Sequence, residues 1–168
     1  MGIAIVAYTL SGNDSADTYE CLDEGHALRL GIVAGQAYPA NKCSVHLSIS
    51  YQSYIELREF LGYLENKIGT HFVTSHFYET DGVISHRECE VISELLLSSI
   101  EKIQAITWAD YTFDRFSSYD DKIDFLENLS HESRRSYQSD FALLKRHLRA
   151  FITMLKYTQE RHGFIDFG

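Results

Sequence analysis

The chain has 168 residues, a length that suits one domain, and we expect residues 1–168 to form a single globular unit. Its 15 Lys and Arg stand against 24 Asp and Glu, and the resulting formal charge of −9 disfavours binding to the phosphate backbones of nucleic acids. With 45% apolar residues, no apolar run near the roughly 20 residues of a membrane span and no secretory signal at Met1, the sequence predicts a soluble cytoplasmic protein.

The first part of the sequence predicts two strands and two helices. The apolar segment that begins at Ile3 predicts a first strand, and residues 10–15 predict a turn that leads into a helix. Residues 44–50 alternate strictly between apolar and polar side chains, which is typical of a half-buried strand. Capping-box spacing at Ser53 and an apolar stripe after it predict a helix that ends at Gly69.

The middle of the chain predicts a further strand and helix. Residues 71–78 are rich in β-branched and aromatic side chains, which favour an extended conformation. Ser85 and Glu88 have the spacing of a capping box, so they predict the start of another helix. Its broad apolar face includes Val91, and rotation about the helix axis places Cys89 toward the core.

The last third predicts helices followed by one strand. Residues 108–129 hold only short helical patterns, with Ser118 or Asp120 as the cap of one of them. Residues 136–161 predict a long amphipathic helix, and residues 164–167 predict a strand that pairs with the first strand of the chain. The sequence therefore predicts an α+β domain with a small antiparallel or mixed sheet and amphipathic helices packed on one face.

The sequence holds no motif of a familiar catalytic or cofactor chemistry. Cys21, Cys43 and Cys89 form no C-x-x-C pair, and an odd number of cysteines does not suit a disulfide framework. A nucleophile elbow and a glycine-rich phosphate loop are both absent from the sequence. We therefore predict no cofactor and no catalytic residue, and the sequence favours a protein that is not an enzyme.

A group of histidines leaves a metal site open as an alternative. His71, His76 and His86 bracket the turn that carries Glu79 and Asp81, and all five are residue types that bind zinc. Their spacing matches no ligand signature, and on a regular strand His71 and His76 point to opposite faces. We predict no metal, and a metal-assisted hydrolase is the less favoured alternative.

An acidic and aromatic segment is the most distinctive feature of the sequence. Residues 106–133 hold seven acids and two bases, whereas residues 134–168 hold three acids and seven bases. Aromatic anchors beside carboxylates suit a surface that attracts a basic protein, although most charge runs are solvated faces. The partner-binding residues that the sequence predicts are Asp110, Tyr111, Asp114, Tyr119, Asp120, Asp121 and Asp124.

The order of the predicted strands and helices resembles that of other small proteins. A strand ends at Ser50, residues 51–54 enter a helix, residues 79–82 precede a helix that holds Glu88, and residues 164–167 close the chain. In this order, and in its size and acidity, the chain resembles small uncharacterised bacterial α+β proteins, some of which are similar to immunity proteins of secreted toxins. The resemblance implies no catalytic residue.

These features together predict a non-enzymatic cytoplasmic inhibitor of the immunity or counter-defence type. Its acidic and aromatic surface would cover the basic surface of a toxin or effector protein. The alternative is a domain that binds a small molecule between the sheet and the helix that begins near Ser85, with Tyr78, Glu79 and Asp81 as ligand-binding residues. The sequence leaves the oligomeric state open.

Overall fold

The computed structural model of the chain describes residues 2–41, 47–69, 81–114 and 118–168. Within these ranges the protein has an α+β fold, as predicted, with six strands and seven helices. The strands are β1 (Gly2–Thr9), β2 (Asp14–Glu20), β3 (Ala37–Asn41), β4 (Leu47–Ser50), β5 (Gly82–Ile84) and β6 (Gly163–Phe167). The helices are α1 (Glu24–Leu30), α2 (Tyr51–Ile68), α3 (His86–Ser98), α4 (Ile100–Ala105), α5 (Trp108–Phe113), α6 (Tyr119–Asn128) and α7 (His131–Glu160).

Strand β1 is the centre of an antiparallel sheet. One edge of β1 pairs with β6, and β6 pairs with β5 on its other side. The opposite edge of β1 is shared, because β4 pairs with its first half and β3 with its second half. Strand β2 pairs with the outer edge of β3. The predicted pairing between the first strand and residues 164–167 is confirmed, and the described sheet is antiparallel rather than mixed.

The main core lies between one face of this sheet and helices α2, α3 and α7. Because side chains alternate along a strand, Ile5 of β1 and Ile165 of β6 point toward these helices. They belong to one buried cluster with Phe60 of α2, Ile92 of α3 and Phe151 of α7, each of which is fully buried. The three longest helices of the described residues therefore share one face of the sheet.

A smaller core lies on the opposite face of the sheet, where α1 packs. Tyr8 and Phe164 take the alternate positions of β1 and β6, and their rings stack with centroids 5.4 Å apart. They pack with Ala27 and Leu30 of α1 and with Tyr38 of β3. None of the described helices combines the length and the apolar character that crossing a membrane requires.

Helix α3 begins as the sequence predicts. The backbone N–H of Glu88 donates to Oγ of Ser85, and the N–H of Ser85 donates to Oε2 of Glu88 at 2.8 Å, which completes the capping box. Cys89 is fully buried, as predicted. Val91 is 42% exposed and lies off the buried face, which corrects its predicted position.

Three other boundaries differ from the sequence-based expectation. Residues 10–15 lead into β2 and not into a helix, because a partly exposed edge strand needs no apolar alternation. Helix α2 begins at Tyr51 and is capped by Ser50, whose Oγ accepts from the N–H of Ser53 at 3.0 Å. Helix α7 begins at His131, earlier than predicted. The predicted strand at 71–78 and the first residues of the strand predicted at 44–50 lie outside the described residues.

Candidate functional site

The structure divides the seven predicted partner-binding residues between two helices. Asp110 and Tyr111 lie on α5, and Asp114 follows directly at its C-cap. The other four, Tyr119, Asp120, Asp121 and Asp124, lie on α6, which is capped by Ser118 as one of the two predicted alternatives. The two groups have different surroundings, and each is described in turn.

The second group forms an exposed surface. We use the name α6 surface for the set Tyr119, Asp120, Asp121, Asp124 and Glu127, all of which are exposed. The side chain of Tyr119 is an exposed large apolar group, with 71% of its area accessible. Helix α6 contributes no buried residue to either core. Its carboxylates are therefore accessible to a partner from solvent.

Asp121 has an additional local role at the start of α6. Its backbone N–H donates to Oγ of Ser118 at 3.1 Å, and the Ser118 hydroxyl donates to the Asp121 carboxylate at 2.5 Å. A carboxylate in the first turn of a helix also interacts favourably with the helix dipole. Asp121 therefore stabilises the helix that presents Asp120 and Asp124.

Helix α6 is held in place by the first third of α7. The rings of Phe125 and Tyr137 meet edge to face at 5.8 Å, and Tyr137 also stacks on Trp108 at 6.5 Å. The Arg134 guanidinium donates to the carbonyl oxygen of Leu126 at 3.0 Å. Residues 131–140 of α7 are all exposed. We refer to α6 and residues 131–140 together as the helical arm.

Tyr111 is placed differently from the rest of the predicted set. It is only 8% exposed, and its ring packs against Phe60, Tyr63 and Phe141 with centroids 5.1, 5.1 and 5.7 Å away. The prediction of Tyr111 as a partner contact is corrected, because the inner face of α5 directs this ring into the main core. Its aromatic character serves packing between α2, α5 and α7.

The carboxylates of Asp110 and Asp114 have partners within the protein. The Thr107 hydroxyl and N–H both donate to Asp110, at 2.6 and 2.8 Å, and these hydrogen bonds lower the pKa of Asp110. Lys67 lies 2.8 Å from Asp114 and lowers the pKa of that carboxyl, with a further hydrogen bond from the Tyr63 hydroxyl at 3.0 Å. Burial, followed by the Asp114 contact, raises the pKa of Tyr63.

Asp110 and Asp114 also line a cleft that the sequence did not predict. The cleft has a volume of about 570 Å³ and lies between the C-terminal part of α2 and helices α4 and α5. Its apolar lining consists of Ile68, Ile103, Ala105, Ile106 and Ala109. Its polar lining consists of Tyr63, Lys67, Lys102, Asp110 and Asp114. The volume is in the range of small-molecule sites, roughly 300–1,000 Å³.

The small-molecule site predicted near Ser85 is not the cleft, which is formed by other elements. Tyr78 and Glu79 lie outside the described residues. Asp81 is exposed beside β5, and its charge contributes to a raised pKa of Asp166, of which burial is the main cause. Of the three predicted ligand-binding residues, only Asp81 therefore lies in the described part of the chain.

The predicted alternative of a histidine metal site is only partly covered by the described residues. His71 and His76 lie outside them, and the ring of His86 faces that of His162 at 5.3 Å. In the described ranges there is no group of three or more His, Cys, Asp or Glu side chains arranged to hold a metal ion. Burial and the Glu88 charge raise the pKa of the Cys89 thiol, which disfavours the thiolate that a nucleophile needs.

Comparison of the chain with known protein families, with curated proteins and with solved structures gives no match. The assignment of a function therefore depends on the geometry of the α6 surface and the cleft.

Proposed function

We propose that the protein is a non-enzymatic cytoplasmic inhibitor, which binds and blocks a partner protein through the α6 surface. The partner carries a basic surface, as the active site of a toxin or effector that acts on an anionic substrate would. The observation that carries the proposal is the exposure of four carboxylates on a helix that contributes no buried residue. Such a helix has little role in the core and is available for contact.

The charge of the α6 surface agrees with that of the whole chain. The formal net charge of −9 attracts a cationic partner at long range, and the local carboxylates orient it at short range. Lys122, the single basic residue of α6, lies close enough to Asp114 to contribute to that residue's lowered pKa. Its charge is therefore partly balanced within the protein.

Tyr119 supplies the apolar contact that charge alone does not give. Aromatic residues are common among the side chains that dominate binding energy at interfaces, because they bury a large area at a small cost in conformational entropy. Tyr119 lies next to Asp120 on the exposed turn of α6. A basic partner with an apolar pocket would match both features.

The test compares two variants with equal changes of charge. The first carries Asp120→Lys, Asp124→Lys and Glu127→Lys on α6, and Asp121 is kept because its carboxylate accepts from the hydroxyl of the capping residue Ser118. The second carries Glu90→Lys, Glu94→Lys and Glu101→Lys, three exposed residues of α3 and α4. Both variants and the parent protein are used for capture from lysate of the native host, followed by native mass spectrometry and association kinetics with the purified partner.

We expect the parent and the α3–α4 variant to retain a stoichiometric protein, and the α6 variant to lose it. The association rate of the α6 variant should fall at least about tenfold at low salt, with a weaker dependence on salt, because steering is lost. Equal association rates for the two variants would remove the α6 surface from the interface. A parent protein that carries a bound small molecule and no protein would contradict the inhibitor proposal itself.

A further inference from the structure

The cleft between α2 and helices α4 and α5 combines an apolar interior with a charged rim. Ile103 is buried at its base, and Ile68 and Ile106 are half-buried in its walls. An apolar group that enters this space removes its own surface and part of these side chains from water, which favours binding. The interior therefore suits the hydrocarbon part of a ligand.

Most of the charged groups around the cleft already have partners. Asp114 is bound by Lys67 and Tyr63, and Asp110 accepts two hydrogen bonds from Thr107. Lys145, next to the cleft, donates to the carbonyl oxygens of Gln104 and Ile106 at 2.9 and 2.6 Å. A cationic ligand at either carboxylate would share it with these donors, which already engage its Oδ2 atom.

Lys102 differs from the other charged residues of the cleft. It is exposed at the rim, and no hydrogen bond or ion pair joins its ammonium group to any residue in the ranges that the structure describes. The ammonium group is therefore a positive charge of the rim that a ligand can meet without displacing an existing contact. It favours an anion, although the protein as a whole is strongly negative.

From these observations we propose that the cleft binds a small organic carboxylate with an apolar body, whose carboxylate pairs with Lys102. The hydrocarbon part lies against Ile68, Ile103 and Ile106, and the carboxylate lies at the rim. This site is separate from the α6 surface, and it binds a small molecule rather than a protein. Loss of one site therefore leaves the other intact.

Three probes of the same length test the chemical class of the ligand. Octanoate, 1-octanol and octylammonium share one hydrocarbon chain and differ in the charge of the head group. Affinity is measured by titration below the concentration at which the probes aggregate, with the isoleucine methyl groups followed by NMR. We expect octanoate to bind about three- to fivefold more tightly than 1-octanol, the size of effect that an exposed ion pair gives. The methyl signals that shift should be those of Ile68, Ile103 and Ile106.

The comparison with octylammonium distinguishes binding at a specific site from attraction by the net charge of the protein. A protein with a net charge of −9 attracts a cation and repels an anion when no local site is present. A preference for octanoate must therefore come from a local positive group. Octylammonium or 1-octanol that binds as tightly as octanoate would overturn the proposal.

Matched variants test the role of Lys102. Lys102→Ala should abolish the preference for octanoate over 1-octanol and leave the affinity for 1-octanol unchanged. Lys156→Ala removes the same charge from an exposed position of α7 beside Glu160, and it should change neither affinity. An equal loss in both variants would show that the effect comes from net charge and not from the cleft, and would overturn the proposal.

A second variant fills the cleft and keeps its charges. Ala109 lines the cleft from α5, and Ala109→Leu places a larger side chain in the space that the hydrocarbon would occupy. We expect the binding of both octanoate and 1-octanol to fall at least about fivefold, because the apolar space is lost. Unchanged binding in a variant that still unfolds cooperatively would place the probe elsewhere and contradict the proposal.

Discussion

The two ends of α7 show how one helix can belong to two environments. The helix has 30 residues and is about 45 Å long at 1.5 Å per residue. From Leu144 to Thr158 one face is buried in the main core, where Phe151 and Leu155 are fully enclosed. The first ten residues, 131–140, are all exposed and belong to the helical arm. The same backbone conformation therefore continues from a packed region into an exposed one.

Under the proposed function, this difference separates the residues that stabilise the fold from those that bind the partner. Starting a helix is unfavourable, whereas extending it is close to neutral for most residues. Packing of the buried part of α7 offsets the cost of nucleating the helix. The exposed part only extends an existing helix, so it can remain helical with few contacts of its own. Changes in the arm should therefore affect binding with little effect on folding, and changes in the main core should do the opposite.

A matched pair of phenylalanines gives the largest expected difference. Phe151 of α7 is fully buried in the main core, whereas Phe125 of α6 is half-buried against Tyr137. Phe151→Ala should lower the free energy of unfolding by about 3–5 kcal/mol, because it leaves a cavity in a packed interior. Phe125→Ala should lower it by about 1 kcal/mol or less. Urea denaturation measures both, and similar losses would mean that the arm is part of the main core.

Alkaline pH should lower the stability of the fold, because the hydroxyl of Tyr54 is buried in the main core. This residue is 1% exposed, and its burial raises the pKa of the hydroxyl from 10.0 to about 12. Between these two values the folded protein keeps the proton that the unfolded chain releases, so stability falls as the pH rises through this window. Across this whole window the loss is about 3 kcal/mol.

Tyr54→Phe should remove that part of the alkaline loss, and Tyr119→Phe on the α6 surface provides the control. The free energy of unfolding is measured at pH 9 and again near pH 11.5 for the parent and both variants. We expect a smaller difference between the two pH values for Tyr54→Phe than for the parent and for Tyr119→Phe. An identical difference in all three proteins would show that Tyr54 is not the group that makes the core sensitive to alkali.

Removal of two helix caps should have smaller effects on stability, and these effects should differ between the main core and the arm. Ser85 caps α3 in the main core, and Ser118 caps α6 in the arm. Ser85→Ala should lower the global free energy of unfolding by about 1 kcal/mol. Ser118→Ala should leave it almost unchanged and instead speed amide hydrogen exchange within α6, because the arm opens locally. A global loss of the same size from Ser118→Ala would show that the arm and the core unfold as one unit.

Local signals explain which parts of the fold the sequence predicted. The capping box at Ser85 and the cap at Ser118 depend on side chains three residues apart, and both are confirmed. Strand β2 was missed because its sequence, Asp14–Glu20, is mostly polar, as suits a partly exposed edge strand. The early start of α7 was missed because residues 131–140 have no apolar stripe.

The residues of the candidate site were likewise predicted only where a local sequence pattern indicates their position. Residue types alone do not tell which aromatic side chain of an acidic segment turns inward, so Tyr111 was grouped with exposed residues. Thr107 and Asp110 do have the three-residue spacing of a capping box, and this signal could have assigned Asp110 a local role. The pairing of Lys67 with Asp114 depends on how α2 and α5 pack, and no local pattern indicates it.

The position of β6 has a consequence for how the molecule assembles. Strand β6 comes from the end of the described chain, yet it lies between β1 and β5 and forms hydrogen bonds with both. In a chain in which β6 has not yet paired, one edge of β1 has no neighbouring strand and β5 has no described strand with which to pair. Contacts between distant parts of a chain slow folding, because a long loop must close before they form. Removing residues 163–168 should therefore leave β1 paired with β3 and β4 on one edge, with its other edge open, and should leave β5 without a described partner strand.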